Sequence, residues 1–325
     1  MGERRLETAV LIPCLNEAAG IAQVVSAFHA ALPDATIYVY DNASDDDTAA
    51  VAAAAGAEVR SEPLRGKGNV VRRMFADIEA DIFVMADGDG TYDASSAPAM
   101  IEKLRSAQLD MVCGKRVESA DNAYRSGHRF GNRLLTGLVA MIFGDRLSDI
   151  LSGYRVMSRR FVKSFPALSS GFEIETELTV HALDLRAPVA EVPTPYGNRS
   201  AGTKSKLNTW RDGWRILRVI VRLFKEERPL AFFSWIALLL ASTSVALAIP
   251  LITTFLETGL VPRLPTAVLS TGLMLVAVVS FSCGLILDTV TRGRRELKRM
   301  HYLTHSGIPM RGRRATDKML ENQDR

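Results

Sequence analysis

The sequence predicts an α/β domain with a mostly parallel mixed sheet, followed by an interfacial helix and two transmembrane helices. Three observations lead there. From residue 8 to about residue 114, short apolar runs that fit strands alternate with amphipathic stretches that fit helices, the pattern of a parallel sheet covered on both faces. Residues 229–256 and 264–287 carry no charged side chain, and each run exceeds the roughly 20 residues that cross hydrocarbon. Between these regions, Leu207, Trp210, Trp214, Leu217, Val221 and Phe224 fall on one broad helical stripe with arginines elsewhere, as in a helix lying at a membrane surface.

Taken in order, residues 8–13 read as a strand, 17–32 as an amphipathic helix, and 36–40 as a second strand that ends on Asp41. The run Asn42-Ala43-Ser44-Asp45-Asp46-Asp47-Thr48 supplies turn and capping groups to an alanine-rich helix that Gly56 stops. Asp46 and Asp47 are expected to cap that helix or face solvent. A short strand at 57–60 precedes Gly66-Lys67-Gly68 and a further helix; a strand at 82–86, a helix at 97–107 and a strand at 110–114 follow. The middle is less periodic. Residues 130–143 and 172–184 fit helices, Val156 and Met157 continue the sheet, and 189–193 form a strand that Pro195 is expected to stop. These elements divide the chain into a domain at 1–203, a juxtamembrane amphipathic helix at 204–228, a helical hairpin at 229–289 and a basic tail at 290–325, poorly ordered beyond residue 306.

The chain has 325 residues and a formal charge of +4, too weak a balance to imply a nucleic-acid partner. The placement of charge says more. Residues 199–228 hold nine basic and three acidic side chains, and residues 292–299 hold five and one, whereas the loop between the two apolar runs carries only Glu257 and Arg263. Positive charge gathers on the cytoplasmic side of membrane spans, so the large N-terminal region and the tail are expected in the cytoplasm of an inner or plasma membrane. Cys14, Cys113 and Cys283 have neither metal-ligand spacing nor the pairing of a secreted scaffold. The N-terminus lacks the pattern of a signal peptide.

The chemistry-bearing residues concentrate at the polar ends of the predicted strands, where ligands of open α/β sheets bind. The apolar run Phe83-Val84-Met85-Ala86 delivers Asp87-Gly88-Asp89, with Asp93 near by. Hard carboxylate oxygens suit Mg2+ or Mn2+, which retain sites for phosphate oxygens and water. Asp41 ends its strand with an acceptor suited to a nucleobase or ribose hydroxyl, and Lys67 offers a cation for a nucleotide phosphate. Neither GxxxxGK[ST] nor GxGxxG is present, which argues against a kinase, an ATPase or a nicotinamide dehydrogenase. Arg116, Arg125, Arg129, Arg155 and Arg199 precede or flank the interfacial stripe, and guanidinium forks suit phosphate.

Ile12-Pro13-Cys14-Leu15-Asn16-Glu17, Asp41 to Thr48, Gly66-Lys67-Gly68, Asp87-Gly88-Asp89, Asp149-Ile150-Leu151-Ser152-Gly153-Tyr154-Arg155 and Arg199 with Ser205-Lys206-Leu207 together resemble the motifs of family 2 glycosyltransferases. The resemblance is to the branch of dolichyl-phosphate mannose synthase and bacterial polyprenyl-phosphate glycosyltransferases, and it covers residues 8 to about 224. Three positions depart from the pattern: Asn42 replaces a usual Asp, Asp47 a usual Gly, and Tyr154 a usual Phe. The resemblance implies a GT-A nucleotide-sugar-binding fold, a UDP-sugar or GDP-sugar donor, Mg2+ or Mn2+, a polyprenyl phosphate acceptor and a lipid bilayer, with a homo-oligomer left open. It implies inverting transfer of a hexosyl group. By the same resemblance, Pro13, Asn16, Glu17, Asp41, Asn42, Ser44, Lys67, Asp87, Gly88, Asp89 and Lys206 face the donor, with Asp87 and Asp89 at the metal. Arg116, Arg125, Arg129 and Arg199 would take the acceptor phosphate, and Arg155 would bind phosphate or order a loop. A transferase acting on a hydroxyl of a lipid-linked saccharide, which needs a general base, and a non-catalytic nucleotide-sugar-binding membrane protein are the alternatives.

Overall fold

A computed structural model describes residues 6–118, 137, 147–171, 173–197, 218, 221–222 and 224–308. Seven strands form one sheet in the order β3-β2-β1-β4-β6-β5-β7: β1 Thr8–Cys14, β2 Thr36–Asp41, β3 Glu58–Ser61, β4 Ile82–Met85, β5 Met111–Glu118, β6 Arg155–Ser158 and β7 Val189–Tyr196. Only β6 runs against its neighbours; β1, β2, β3 and β4 pair in parallel, as do β5 and β7. The helices of this part are α1 Ile21–Ala31, α2 Thr48–Ala54, α3 Lys67–Asp77, α4 Ala97–Ser106, α5 Arg159–Ser164 and α6 Ile174–Asp184. Val10, Ile12, Val39, Val84 and Val156 from the strands pack with Val25 and Phe28 of α1 and Met100 and Leu104 of α4 into one buried core.

Chain order leaves β1 for β2 and β3 on one side and returns to β4 on the other, so the switch point lies where the ends of β1 and β4 meet. Pro13 sits in β1 without breaking a ladder. Leu11 is the last β1 residue paired to β4, through Met85, and accepts from the Ala86 N–H, so the missing Pro13 donor falls beyond β4 on the same side.

One expectation is corrected. Pro195 does not stop β7, which runs to Tyr196 in register with β5 from Met111 to Glu118. As an edge strand its one ladder among the described residues is with β5, so Pro193 and Pro195, two residues apart, share a side on which no ladder donor is required. The helix of the second span continues into the basic stretch, to Leu303. That continuation is rich in good helix formers and carries an Asp288–Arg292 pair one turn apart.

The chain divides into two compact units, residues 1–213 with 298–325, and residues 214–297. The second contains α7 Pro229–Thr258 and most of α8 Leu264–Leu303, both long and apolar enough to cross a membrane, with 11% of each apolar window buried. Apart from Pro229 at the start of α7, their buried residues recur every seven positions, Ala237, Ser244 and Leu251 on α7 and Ser270, Ala277, Gly284 and Thr291 on α8. Small side chains at such a seam let two helix backbones approach. Ser244 and Ser270 each donate to the other's carbonyl, at 2.7 and 2.9 Å. The expected interfacial helix lies almost wholly outside the described residues; Arg218, Val221 and Arg222 are helical and exposed. The helix expected at 130–143 and the tail beyond 308 also lie outside them.

Candidate active site

The carboxyl ends of β1, β2 and β4 carry two loops laced together by hydrogen bonds. The Asn16 N–H donates to Ser44 Oγ at 2.9 Å, the Asp45 N–H to Asn16 Oδ1 at 2.8 Å, the Glu17 N–H to Thr48 Oγ1 at 2.9 Å and the Ala18 N–H to Asp46 Oδ2 at 3.2 Å. Asn16 and Ala43 take left-handed conformations, φ 55° and 57°, to make these turns. Asp46 also accepts from the Thr48 N–H and so caps α2, whereas Asp47 makes no capping bond. Asp41 Oδ2 accepts from the Ser44 N–H, but its Oδ1 is buried with no hydrogen-bond partner among the described residues. A buried acceptor left open is costly.

Asn42 is fully occupied by its own chain. Its side-chain N–H groups donate to the carbonyls of Glu62 and Leu64 at 2.9 and 2.8 Å, and its Oδ1 accepts from the Gly66 N–H at 2.6 Å. A carboxylate could not donate the first two bonds, so the departure from the family's Asp serves the loop that leads into α3.

That loop ends on Gly66, with φ 130°, and α3 starts on Lys67. A Cβ on Gly66 would stand 2.1 Å from the Ser170 carbonyl oxygen, and one on Gly68 2.1 Å from that of Ser169. The Gly68 N–H donates to the Ser170 carbonyl at 3.1 Å. The glycines therefore admit a neighbouring stretch of backbone. Lys67 points its ammonium at two carboxylates, Asp87 and, at 2.5 Å, Glu175. Burial pulls its proton affinity down, but the charges of Asp87 and Glu175 outweigh that and hold the amine protonated, above the ordinary lysine range.

Nothing local in the sequence separates Glu175 from Glu173 and Glu177, with which it crowds the start of a predicted helix. It stands buried in the first turn of α6. Glu177 in the same turn accepts from the N–H groups of Leu168 and Ser169, both at 2.8 Å, and so fixes the stretch against which Gly66 and Gly68 lie.

Asp89 is buried and accepts from Thr91, through Oγ1 at 2.6 Å and N–H at 3.2 Å. Gly88 leaves room for the Cys14 thiol, which a Cβ there would meet at 2.5 Å. Burial, then the surrounding carboxylates, push that thiol well above its ordinary value, so it is a packing group. Asp93 caps the turn Ala94–Ser96 through Ser95 and Ser96. Tyr92 bridges to Tyr196, the last residue of β7, and its hydroxyl accepts from the Gly153 N–H at 2.8 Å. A Cβ on Gly153 would stand 2.9 Å from Asp87 Oδ2, so this glycine separates the Asp87 carboxylate from the Tyr92 hydroxyl.

Of the five arginines singled out, Arg116 lies in β5 and Arg155 begins β6; Arg125, Arg129 and Arg199, like Lys206, lie outside the described residues. Arg116 forms a two-pronged pair with Asp149 at 2.7 and 2.8 Å. Arg155 has no exposed surface and donates to the carbonyls of Ile150, Ser152 and Glu175 and to Thr179 Oγ1, at 2.8 to 3.0 Å. With its guanidinium spent on loop and helix acceptors, its place is that of a loop-ordering group.

Among the described residues no three His, Cys, Asp or Glu side chains cluster closely enough to hold a metal by themselves. The candidate donors for a divalent cation are Asp87 and Asp89, hard carboxylate oxygens that follow β4, with Asp87 paired to Lys67.

Residues 9–165 match the family model for glycosyl transferase family 2. Glycosyltransferase AglJ of Haloferax volcanii is 34% identical over 241 residues, which cover 74% of this chain and 79% of that protein. Protein RfbJ of Shigella flexneri is 62% identical over 122 residues, 37% of this chain and 95% of that one. Glucosyl-3-phosphoglycerate synthase from Mycobacterium tuberculosis, solved with Mn2+, uridine diphosphate and glucosyl-3-phosphoglycerate, superposes with a TM-score of 0.55 at 25% identity over 68% of this chain and 79% of that one. The chain belongs to glycosyl transferase family 2 and shares its sheet-and-helix architecture with GT-A glycosyltransferases.

Proposed function

We propose that this glycosyltransferase moves a hexosyl group from a nucleotide diphosphate sugar to polyprenyl phosphate at a cytoplasmic membrane face, with inversion at the anomeric carbon. The observation that carries the reading is the joining, in one chain, of a family 2 domain and a hairpin of two helices whose outward faces are apolar. An acceptor with a long isoprenoid tail requires such an anchor, and its phosphate requires no general base because it is already anionic.

The donor nucleotide would lie over the ends of β1 and β2, where Asp41 Oδ1 awaits a donor from base or ribose. The diphosphate would lie toward Lys67, Asp87 and Asp89. A divalent cation, Mg2+ or Mn2+, would screen the charge that develops on the departing diphosphate. Lys67 borders the same side, its ammonium held by Asp87 and Glu175. Arg116 braces Asp149 and the loop at 149–153, while Arg125, Arg129 and Arg199 take the acceptor phosphate. The polybasic stretch at 199–228 draws the domain to an anionic surface, which puts the catalytic domain and the tail in the cytoplasm.

The test is direct. Purified chain in lipid receives polyprenyl phosphate, Mg2+ or Mn2+, and a panel of uridine and guanosine diphosphate sugars, and any glycolipid is identified by mass and anomeric configuration. A β-linked lipid phosphosugar from an α-linked donor is the expected product. Transfer only to a hydroxyl acceptor, or retention of configuration, would overturn the reading.

A further inference from the structure

The Lys67 ammonium is gripped by two carboxylates, both from distant parts of the chain. Asp87 follows β4, and Glu175 comes from the first turn of α6 at 2.5 Å. The Lys67 and Glu175 side chains are 9% and 7% exposed, so neither exchanges its partner freely for water. Asp87 is the more open member, at 31%. One ammonium between two carboxylates leaves the trio with a net negative charge, and that charge is accessible on the Asp87 side.

We propose that Glu175 is a positioning residue for the donor-side cation: by sharing the Lys67 ammonium, it leaves the Asp87 carboxylate with oxygen lone pairs to offer a divalent metal. This rests on the reading above that Asp87 and Asp89 hold that metal. With Glu175 absent, Asp87 becomes the sole counter-charge of a buried ammonium, and a metal must displace that ammonium in a medium where such pairs are strong. The surrounding bonds are arranged to keep Glu175 in place. Its carbonyl accepts from the buried Arg155 guanidinium at 2.9 Å. The start of a helix favours its negative charge. Gly66 and Gly68 let the first turn of α3 lie against the carbonyls of Ser169 and Ser170, which fixes Lys67 relative to α6.

An ion pair that serves stability alone predicts that Glu175→Gln lowers the melting temperature and leaves metal affinity as it was. Positioning predicts something else. Mn2+ binding to the full chain in detergent, followed by the electron paramagnetic resonance signal of free Mn2+ with and without uridine diphosphate, should weaken roughly 10- to 100-fold in Glu175→Gln, the range seen when groups that orient metal ligands are removed. Glu175→Asp keeps the charge and should restore most of the affinity. The double variant Lys67→Met/Glu175→Leu removes ammonium and carboxylate together, and should bind Mn2+ as tightly as the parent or tighter. Parent-like binding by Glu175→Gln, with binding lost in Asp89→Asn, would overturn the role of Glu175 alone. Parent-like binding by Asp87→Asn, Asp89→Asn and Glu175→Gln alike would overturn the metal reading on which it rests. Should Glu175→Gln not fold, the double variant decides: parent-like affinity supports the proposal, and a loss equal to that of Asp89→Asn refutes it.

Discussion

Replacing Gly68 by alanine separates two roles that a glycine beside a candidate phosphate site can play. If the glycine served only to admit a ligand, Gly68→Ala would leave the free protein unharmed and even favour α3, by about 1 kcal/mol of helix propensity. The structure requires the opposite. The new methyl would sit 2.1 Å from the Ser169 carbonyl oxygen and 2.7 and 2.8 Å from two backbone carbons, so rigid main chain must move by more than 1 Å. Overpacking of this kind costs about 1–3 kcal/mol. Separation of the segments also strains the bond from the Gly68 N–H to Ser170, worth about 1 kcal/mol. Set against the propensity gain, the net loss is about 2 kcal/mol, or roughly 4–8 °C in melting temperature for a unit of this size. Scanning calorimetry or fluorescence melting of the detergent-purified chain reads it directly. Gly293→Ala is the control, since nothing lies within 4 Å of its added Cβ on α8; it should be neutral or slightly stabilising. A Gly68→Ala protein that melts with the parent would refute the packing argument and return the glycine to a ligand role.

Three further outcomes follow from the same geometry. Asp89→Ala should raise the transfer barrier by at least ~3 kcal/mol, more than a hundredfold in kcat/KM; full turnover by that variant under chelation would contradict the assignment. Asn42→Asp exchanges the amide NH2 that donates to both the Glu62 and Leu64 carbonyls for a single oxygen, and should destabilise by about 3 kcal/mol in denaturant melts at neutral pH, with partial recovery on acidification as the new carboxyl protonates. His181 is buried among Phe161 and Phe165, and burial, aided by the charge of Lys298, lowers its pKa from 6.5 to about 3. Because the unfolded chain binds the proton more readily, stability is whole above pH 6.5 and falls as pH drops toward 3; between pH 7 and 5 the loss from this group is about 2 kcal/mol. His181→Asn should flatten that slope, and an unchanged slope would show that other groups set it.

The central strands β1 and β4 were legible because each is a short apolar run with side chains buried on both faces, as in residues 82–85. Their ends were less legible. Pro195 reads as a stop because sequence gives no sign that β7 occupies an edge, and β5 reads short because Gly114 lies in its middle, where Tyr154 and Thr194 pack within 3.2 Å of the position a Cβ would take. The candidate site divides the same way. Asp41, Lys67, Asp87 and Asp89 stand at strand or helix ends that periodicity can place. Glu175 escaped because its meaning depends on Lys67, more than a hundred residues earlier, and nothing local separates it from Glu173 or Glu177. Arg155 illustrates the converse: an arginine in a polar loop motif suggests phosphate, yet four internal acceptors surround it.

The first turn of α6 explains why these long-range dependences converge. Arg155, at the start of the one antiparallel strand, donates to the Glu175 carbonyl and to Thr179 on one side and to the Ile150 and Ser152 carbonyls on the other. Glu177 holds the backbone at 168–169, and Ser169 and Ser170 seat the glycines that flank Lys67. Glu175 then reaches Lys67 itself. The loop at 149–153 and the turn at 66–68, which the proposed function gives to acceptor and donor, therefore share one support, with Gly153 standing against Asp87. Substitutions in this turn should disturb donor and acceptor steps together. Single-site assays on Arg155 or Glu177 would then show coupled changes in both KM values, whereas a residue that touches one substrate alone shifts only one.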